Sequence, residues 1–316
     1  MQERPGAPPA TAWTYAELIT VALIWGTGSV AIKIAVEGFP PMTAAGLRLA
    51  LASAVYAPLL WLNRRDARPP GRADLPMLAW LALTGYVIFN VLYFLALERT
   101  TATHATLVWG AQPIITAVLA ALILRERVGR RAIVGVLIST AGVGLIIASS
   151  LSRSTAHGAD TLGDLMVVGL MVSWVLYTVA SRSAMRRLSP LAATGYSCLL
   201  GFALLLPIAL PGFRVSQLAD APLRSWLAVL FSGGASVVLA YILWNRALLR
   251  LGPTRTAVFV NLQPVWGLFM SWLLEDETLT WIHAAGAVLI VGGVLAANVT
   301  RRRRARQPSL VAEQPS

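Results

Sequence analysis

Charge is scarce in this chain of 316 residues, and acidic charge is placed where it does least inside a membrane. Charged residues make up 13% of the sequence, about half of the ~25% usual in soluble domains. All 14 acidic residues read as lying in tails, loops or the ends of long apolar runs, Glu17 and Glu37 among them. With no carboxylate in the middle of a run, proton coupling through a central acid has no support, and a neutral or anionic solute fits better than a cation. The single cysteine, Cys198, excludes an internal disulfide and reads as a small core residue. His104, His157 and His283 are the only histidines. None stands in a metal-ligand spacing or an H-E-x-x-H pair, so no metal site and no zinc protease is expected. Lys33 is the only lysine, and it does not end a phosphate-binding loop. No catalytic residues and no cofactor are expected, and the chain does not read as an enzyme. A scaffold or sensor would carry a substantial soluble domain, and the stretches between runs are shorter than about 20 residues.

What is present in quantity is hydrophobicity, at 57% of residues. It is organised as apolar runs at 16–36, 42–62, 75–97, 104–124, 131–149, 162–182, 190–210, 225–246, 256–274 and 281–299. A bilayer core about 30 Å thick needs about 20 residues of helix, so the runs predict an all-α integral membrane protein with ten transmembrane helices. Residues 1–14 read as an N-terminal tail, with an uncleaved first span serving as the insertion signal. The runs also repeat. Gln112-Pro113 recurs as Gln263-Pro264, Gly135 as Gly286 and Gly142 as Gly293, each 151 residues later. Earlier in each half the offset is 149, pairing Trp25 with Trp174, Pro41 with Pro190 and Pro58 with Pro207. The predicted units are therefore a first five-helix repeat over 15–149, a second over 161–299, and a basic tail over 300–316. Five crossings is an odd number, so the second copy must insert upside down. Inverted repeats of this kind build two gates around one central site, which points to transport.

The formal net charge of +12 suggests nucleic acid until its placement is considered. With the N-terminus inside, twenty basic residues fall on the cytoplasmic segments and four (Arg99, Arg153, Arg214, Arg224) on the other side. That bias places both termini in the cytoplasm of a multi-pass protein of the cell (inner or plasma) membrane, and the terminal arginines against anionic lipid. No nucleic-acid partner is expected. The loop after the fourth span reads RERVGRR and its counterpart after the ninth reads EDETLTW, as expected of related loops facing opposite compartments.

In order along the chain, LIWGTGSVAIKIA, the Arg48 region GLRLALAS, YFLALERTTATHATLVWGAQPIITAVLAALILRERV and its second-half copy ALLRLGPTRTAVFVNLQPVWGLFMSWLLEDETL resemble EamA-type transporters of the drug/metabolite transporter superfamily. The resemblance covers about 15–299. It implies a ten-helix inverted-repeat permease moving a small organic metabolite or drug by alternating access, often outward. A non-transporting scaffold or sensor, or an importer of the same fold, is the alternative.

Helical spacing then nominates a site. Trp25 and Trp174 fall near the bilayer centre on repeat-related spans, and Trp174, Tyr177, Thr178 and Ser181 share one helical face. Tyr86, Asn90 and Tyr93 line up on the third span, and Tyr241, Trp244 and Asn245 on the eighth. Buried phenols and amides in lipid need partners, so these faces should look into a cavity or toward one another. Aromatic walls with sparse amides suit a partly apolar organic solute. Pro113 and Pro264 would free the carbonyls of Trp109 and Val260 and act as paired gating hinges, with Gln112 and Gln263 at hand. Arg48 lies deep enough to need a partner, either backbone carbonyls or a substrate anion. Lys33 is explained by Glu37 four residues on, or by snorkelling. Gly135, Gly142, Gly286 and Gly293 read as close packing and permit a homodimer.

Overall fold

The computed structural model describes residues 12–97, 112–124, 128–151, 161–266, 269 and 281–298. Among these, helical segments occur within every expected span. They are α1 (Ala12–Gly38), α2 (Pro41–Leu62), α3 (75–97), α4 (Gln112–Leu124), α5 (Arg130–Leu151), α6 (Thr161–Ala184), α7 (Pro190–Ala209), α8 (Leu223–Leu251), α9 (253–266) and α10 (Trp281–Asn298). No strand occurs among the described residues. Seven of the helices, α1, α2, α3, α6, α7, α8 and α10, are long and apolar enough to cross a bilayer. Leu122, Leu137, Leu204, Leu227, Val288 and other large apolar side chains are exposed on the outside of the bundle, as the solvent requires when it is lipid.

The helix starts follow from local chemistry. Both α2 and α7 begin with proline at the first turn, where its missing donor costs nothing. Ser189 caps α7 by accepting the Ala192 N–H at 3.2 Å. At its other end α8 stops at Gly252, whose φ of 80° is open to glycine, and Pro253 follows. Within α3 and α8 the chain widens into π-helix, over Leu83–Ile88 and Phe231–Leu239. These two segments occupy related positions in the two halves. The residues T-G-Y and S-G-G-A-S mark them, because a wide turn tolerates small residues well.

Pairing between the halves shows their relation. Helix α5 packs on α10, α2 on α7, and α4 on α9, each helix against its own repeat mate. The other main pairs, α1 with α8 and α6 with α3, exchange under the repeat. A contact pattern that maps onto itself in this way is that of a two-fold axis. The mates also run antiparallel. A Cβ on Gly135 would meet Gly293 O at 2.5 Å, while one on Gly142 would meet Gly286 O at 2.7 Å. Likewise Gly46 faces Ala209 and Gly195 faces Leu60. The glycines of α5 and α10 thus bring two backbones into contact within one chain.

Ionic ties sit at the helix ends. Glu17 on α1 accepts from Arg246 and Arg250 of α8, both at 3.0 Å. Asp74 bridges Arg68 at 3.2 Å and Arg187 at 3.4 Å, joining the segment before α3 to the segment after α6. At the other end of α1, Glu37 pairs with Arg224 at 2.9 Å. The start of α8 thus lies beside the end of α1; the Lys33 side chain, expected to pair with Glu37 or to snorkel, lies outside the described residues.

Candidate functional site

The four helices α1, α3, α6 and α8 converge on one cluster of rings. Trp25 meets Trp174 edge-on at 5.1 Å between centroids and Trp244 at 5.1 Å. Trp174 stacks on Tyr177 at 5.2 Å and contacts Tyr241 edge-on at 5.2 Å. Tyr86 closes the group against Tyr241 at 5.2 Å. The structure therefore brings together six of the candidate side chains from both halves. Phe89, which helical spacing did not nominate, lies against Trp174 at 5.6 Å, and the candidate Tyr93 packs on Phe89. The π-turn is the physical reason, since one wide turn rotates everything after it relative to an ideal 3.6-residue stripe.

The wide turns also release backbone carbonyls, and side chains from elsewhere satisfy them. Tyr241 Oη donates to Gly85 O at 3.1 Å and Ser173 Oγ to Thr84 O at 2.7 Å. In the other half, Trp25 Nε1 donates to Ser236 O at 3.0 Å and Tyr56 Oη to Val237 O at 3.0 Å. Each π-segment is thus stitched mostly by the opposite repeat. Arg48 is the link between them: Nε donates to Ser232 O at 3.4 Å and Nη1 to Asn90 Oδ1 at 3.1 Å. Asn90 in turn donates to Tyr86 O. Arg48 thus reaches one backbone carbonyl, Ser232 O, and one side-chain amide, Asn90 Oδ1. Arg48→Lys is expected to lower the thermal midpoint in detergent, because an ammonium on a linear stem cannot serve two acceptors that a guanidinium fork reaches in different directions. Losing a hydrogen bond to a charged group costs about 1.5–3 kcal/mol.

Some polar atoms in the cluster are left over. Asn245 Nδ2 donates to Tyr177 Oη at 2.9 Å, while Asn245 Oδ1 has no partner among the described residues. The indole N–H groups of Trp174 and Trp244 and the hydroxyl of Thr178 are also unpartnered. Trp174 is 2% exposed and Trp244 0%. Buried donors and acceptors left unmatched are costly and rare unless something else completes them.

The two glutamines stand apart from the rings. Gln112 is buried on α4, where Nε2 donates to Thr116 Oγ1 at 3.3 Å. Gln263 lies beside α1, its carbonyl 3.3 Å from where a Cβ on Gly26 would stand. No described contact joins either side chain to the aromatic cluster. Around Pro264 the helix does change character: α9 runs as 3₁₀-helix over Val258–Asn261, just where proline withholds a donor from Val260. Pro113 is the second residue of the described part of α4, and Trp109, whose carbonyl it would free, lies outside the described residues, as does His104. An apolar groove of about 330 Å³ between α2 and α8, bounded by Leu47, Leu51, Trp226 and Leu230, contains none of the candidate side chains.

Comparisons with known proteins agree with this architecture. The model of the EamA-like transporter family matches residues 12–148 and again 161–299. The chain is 28% identical to an uncharacterized transporter of Bacillus subtilis over 90% of this chain and 93% of that one. It is 29% identical to a probable amino-acid metabolite efflux pump of Salmonella typhimurium, over 87% and 91% of the two. With a probable terminal-alkyne amino-acid exporter of Streptantibioticus cattleyicolor it shares 25% identity, over 92% and 96%. A crystal structure superposes with a TM-score of 0.75 at 22% identity, covering 91% of this chain and 99% of the other, which shows a shared fold.

Proposed function

The chain belongs to the EamA-like transporter family, and on that premise we propose that it exports an amino acid or an amino-acid-derived metabolite by alternating access at the aromatic cluster. It is a membrane transporter and not an enzyme. The observation that carries the proposal is the set of unmatched atoms among the rings. Two indole N–H groups, on Trp174 and Trp244, are donors suited to a carboxylate, and Asn245 Oδ1 is an acceptor suited to an ammonium group. Ring faces from Trp25, Tyr86, Phe89 and Tyr241 would hold a partly apolar side group. A zwitterion also meets the expectation of a cargo without net positive charge. The names of the Salmonella and Streptantibioticus relatives, both concerned with amino acids, support the substrate class and the outward direction. On this reading both termini are cytoplasmic in the cell membrane, and the antiparallel repeat mates supply the two gates.

Metabolite profiling of medium and cytosol tests it, in cells making the parent chain or its Trp174→Ala variant at matched membrane levels. An amino-acid-like compound that accumulates outside only with the parent is the expected result. Accumulation inside the cell with the parent would reverse the direction, and equal profiles would remove the export reading.

A further inference from the structure

Arg48 brings a full charge to a task that the fold performs elsewhere with neutral groups. The carbonyls of Gly85, Thr84, Ser236 and Val237, in the two wide turns, accept from Tyr241, Ser173, Trp25 and Tyr56, all uncharged donors. The carbonyl of Ser232 accepts from a guanidinium instead. The duplication sharpens the contrast. With Pro41 over Pro190 and Pro58 over Pro207, the residue related to Arg48 is Ser197 on α7. Ser197 is buried as well, and its hydroxyl donates to Ala193 O and Thr194 O within its own helix. Helices α2 and α7 pack on each other as repeat mates, and the α7 copy fills its place without charge. The duplicated scaffold does not demand an arginine there.

Its surroundings leave that charge uncompensated. Ser232 O and Asn90 Oδ1 are neutral acceptors, and they use two of the five N–H groups a guanidinium offers. The other groups close enough to act on it electrostatically are the phenols of Tyr241 and Tyr93 and the thiol of Cys198. None of these is an acid near neutral pH. The carboxylates of Glu17, Glu37 and Asp74 are engaged with other arginines at the helix ends. Arg48 is 5% exposed, on a helix long and apolar enough to cross a bilayer. A buried cation lacking its anion is costly, and in a low dielectric its field is weakly screened. That field falls on the aromatic cluster. Asn90, which holds Nη1, donates to Tyr86 O, and Tyr86 lies against Tyr241 among the rings.

We propose that Arg48 is the charge-selecting residue of the aromatic site: it makes the site a receptor for a carboxylate and closes it to cargo of net positive charge. The indole N–H groups of Trp174 and Trp244 orient the carboxylate, and Arg48 supplies the opposite charge that the protein itself withholds. Cargo then completes an ion pair whose desolvation the fold has already borne. Zwitterionic and acidic solutes are accepted, and dibasic ones are turned away. The inference rests on the aromatic cluster being the cargo site, and it names the cargo's charge where the proposal above names its class.

Two probes with one hydrocarbon tail and opposite charge test the sign without presuming the cargo. These are isocaproate and isoamylamine, added at equal pH and ionic strength to the detergent-purified full chain, with the thermal midpoint as readout. Isocaproate is expected to raise the parent's midpoint by about 3 °C once it stands ~10-fold above its Kd, and isoamylamine to leave it unchanged. Arg48→Lys starts from a lower midpoint but keeps the shift, because it keeps the charge. Arg48→Gln removes the charge, and Asn90→Asp neutralises it by setting a carboxylate against Nη1. Both should lose the shift, with the acid-to-amine affinity ratio falling by about tenfold. A purely structural Arg48 would still be tied in Asn90→Asp and would leave the response to isocaproate intact. Equal responses of the parent to both probes, no response to isocaproate, or a shift that survives in both neutralised variants would overturn the charge selection. The metabolite profile described above reads the transport proposal separately. An intact isocaproate response beside equal profiles removes export and leaves Arg48 in its role, and the reverse pair of results removes Arg48 alone.

Discussion

Gly135→Leu is expected to yield no folded protein. A Cβ alone at that position would stand 2.5 Å from both Gly293 O and Ala297 N, which are backbone atoms of α10 and cannot turn aside as a side chain does. Gly293 is confined in the same way by Ser139 N at 2.5 Å and Gly135 O at 2.6 Å. Overpacking a core by a methylene costs about 1–3 kcal/mol where neighbours can yield. Here the whole of α10 must move, and with it the contact that joins the ends of the two repeats. Size-exclusion chromatography of the detergent-extracted protein measures this directly, with aggregation or loss of the monodisperse peak as the outcome. Gly144→Leu is the matched control: it lies on the same helix, nothing stands within 4 Å of its would-be Cβ, and it should behave as the parent. If Gly135→Leu eluted and melted like Gly144→Leu, the backbone contact between α5 and α10 would not be what holds the halves together.

Transport should fall by about tenfold in Trp174→Phe and again in Trp244→Phe, with membrane level and thermal midpoint little changed. The reasoning turns on which hydrogen bonds exist. Both indole N–H groups lack partners among the described residues, so phenylalanine keeps a ring in the cluster and removes a donor that no described group accepts from. If cargo accepts from that donor, its loss costs a bond of about 1.4 kcal/mol, hence the tenfold. Tyr177→Phe makes the contrast. Its hydroxyl accepts from Asn245 Nδ2 at 2.9 Å, so its removal leaves a buried amide donor unmatched and should lower stability as well as flux. Initial export rates in vesicles, normalised to protein, check all three. Undiminished flux in both tryptophan variants would show that the cargo does not use these donors.

Much of this molecule was legible in advance because lipid is a demanding solvent. Apolar runs of the right length can only be helices there, and a duplicated run of glycine and proline positions can only mean duplicated structure. The aromatic candidates on α6 and α8 come from helical spacing along faces that keep the ideal period, and Trp25 on α1 comes from its midplane position and its repeat mate Trp174. The same reasoning overlooked Phe89, since the π-turn at Leu83–Ile88 breaks that period. Ser173 and Tyr56 were invisible for a related reason: they matter as donors to carbonyls released by wide turns, and Ser232 O matters as one of those carbonyls, accepting from Arg48. Only T-G-Y and S-G-G-A-S hinted that such turns were present. The pairing of Glu37 with Arg224, 187 positions away, is a contact that helical spacing does not reveal.

By itself the sequence determined the solvent, the helical class, the duplication and the family, because each follows from composition and period, which are local properties of the chain. Only the tertiary structure decided which polar atoms are matched and which remain open. It committed Arg48 to Asn90 and Ser232, left Trp174, Trp244 and Asn245 with unmatched atoms, and set Arg182 across the end of α8. Hydrogen bonds join groups at a few ångströms without regard to their distance along the chain. Their pairing therefore exists only once the two halves have packed.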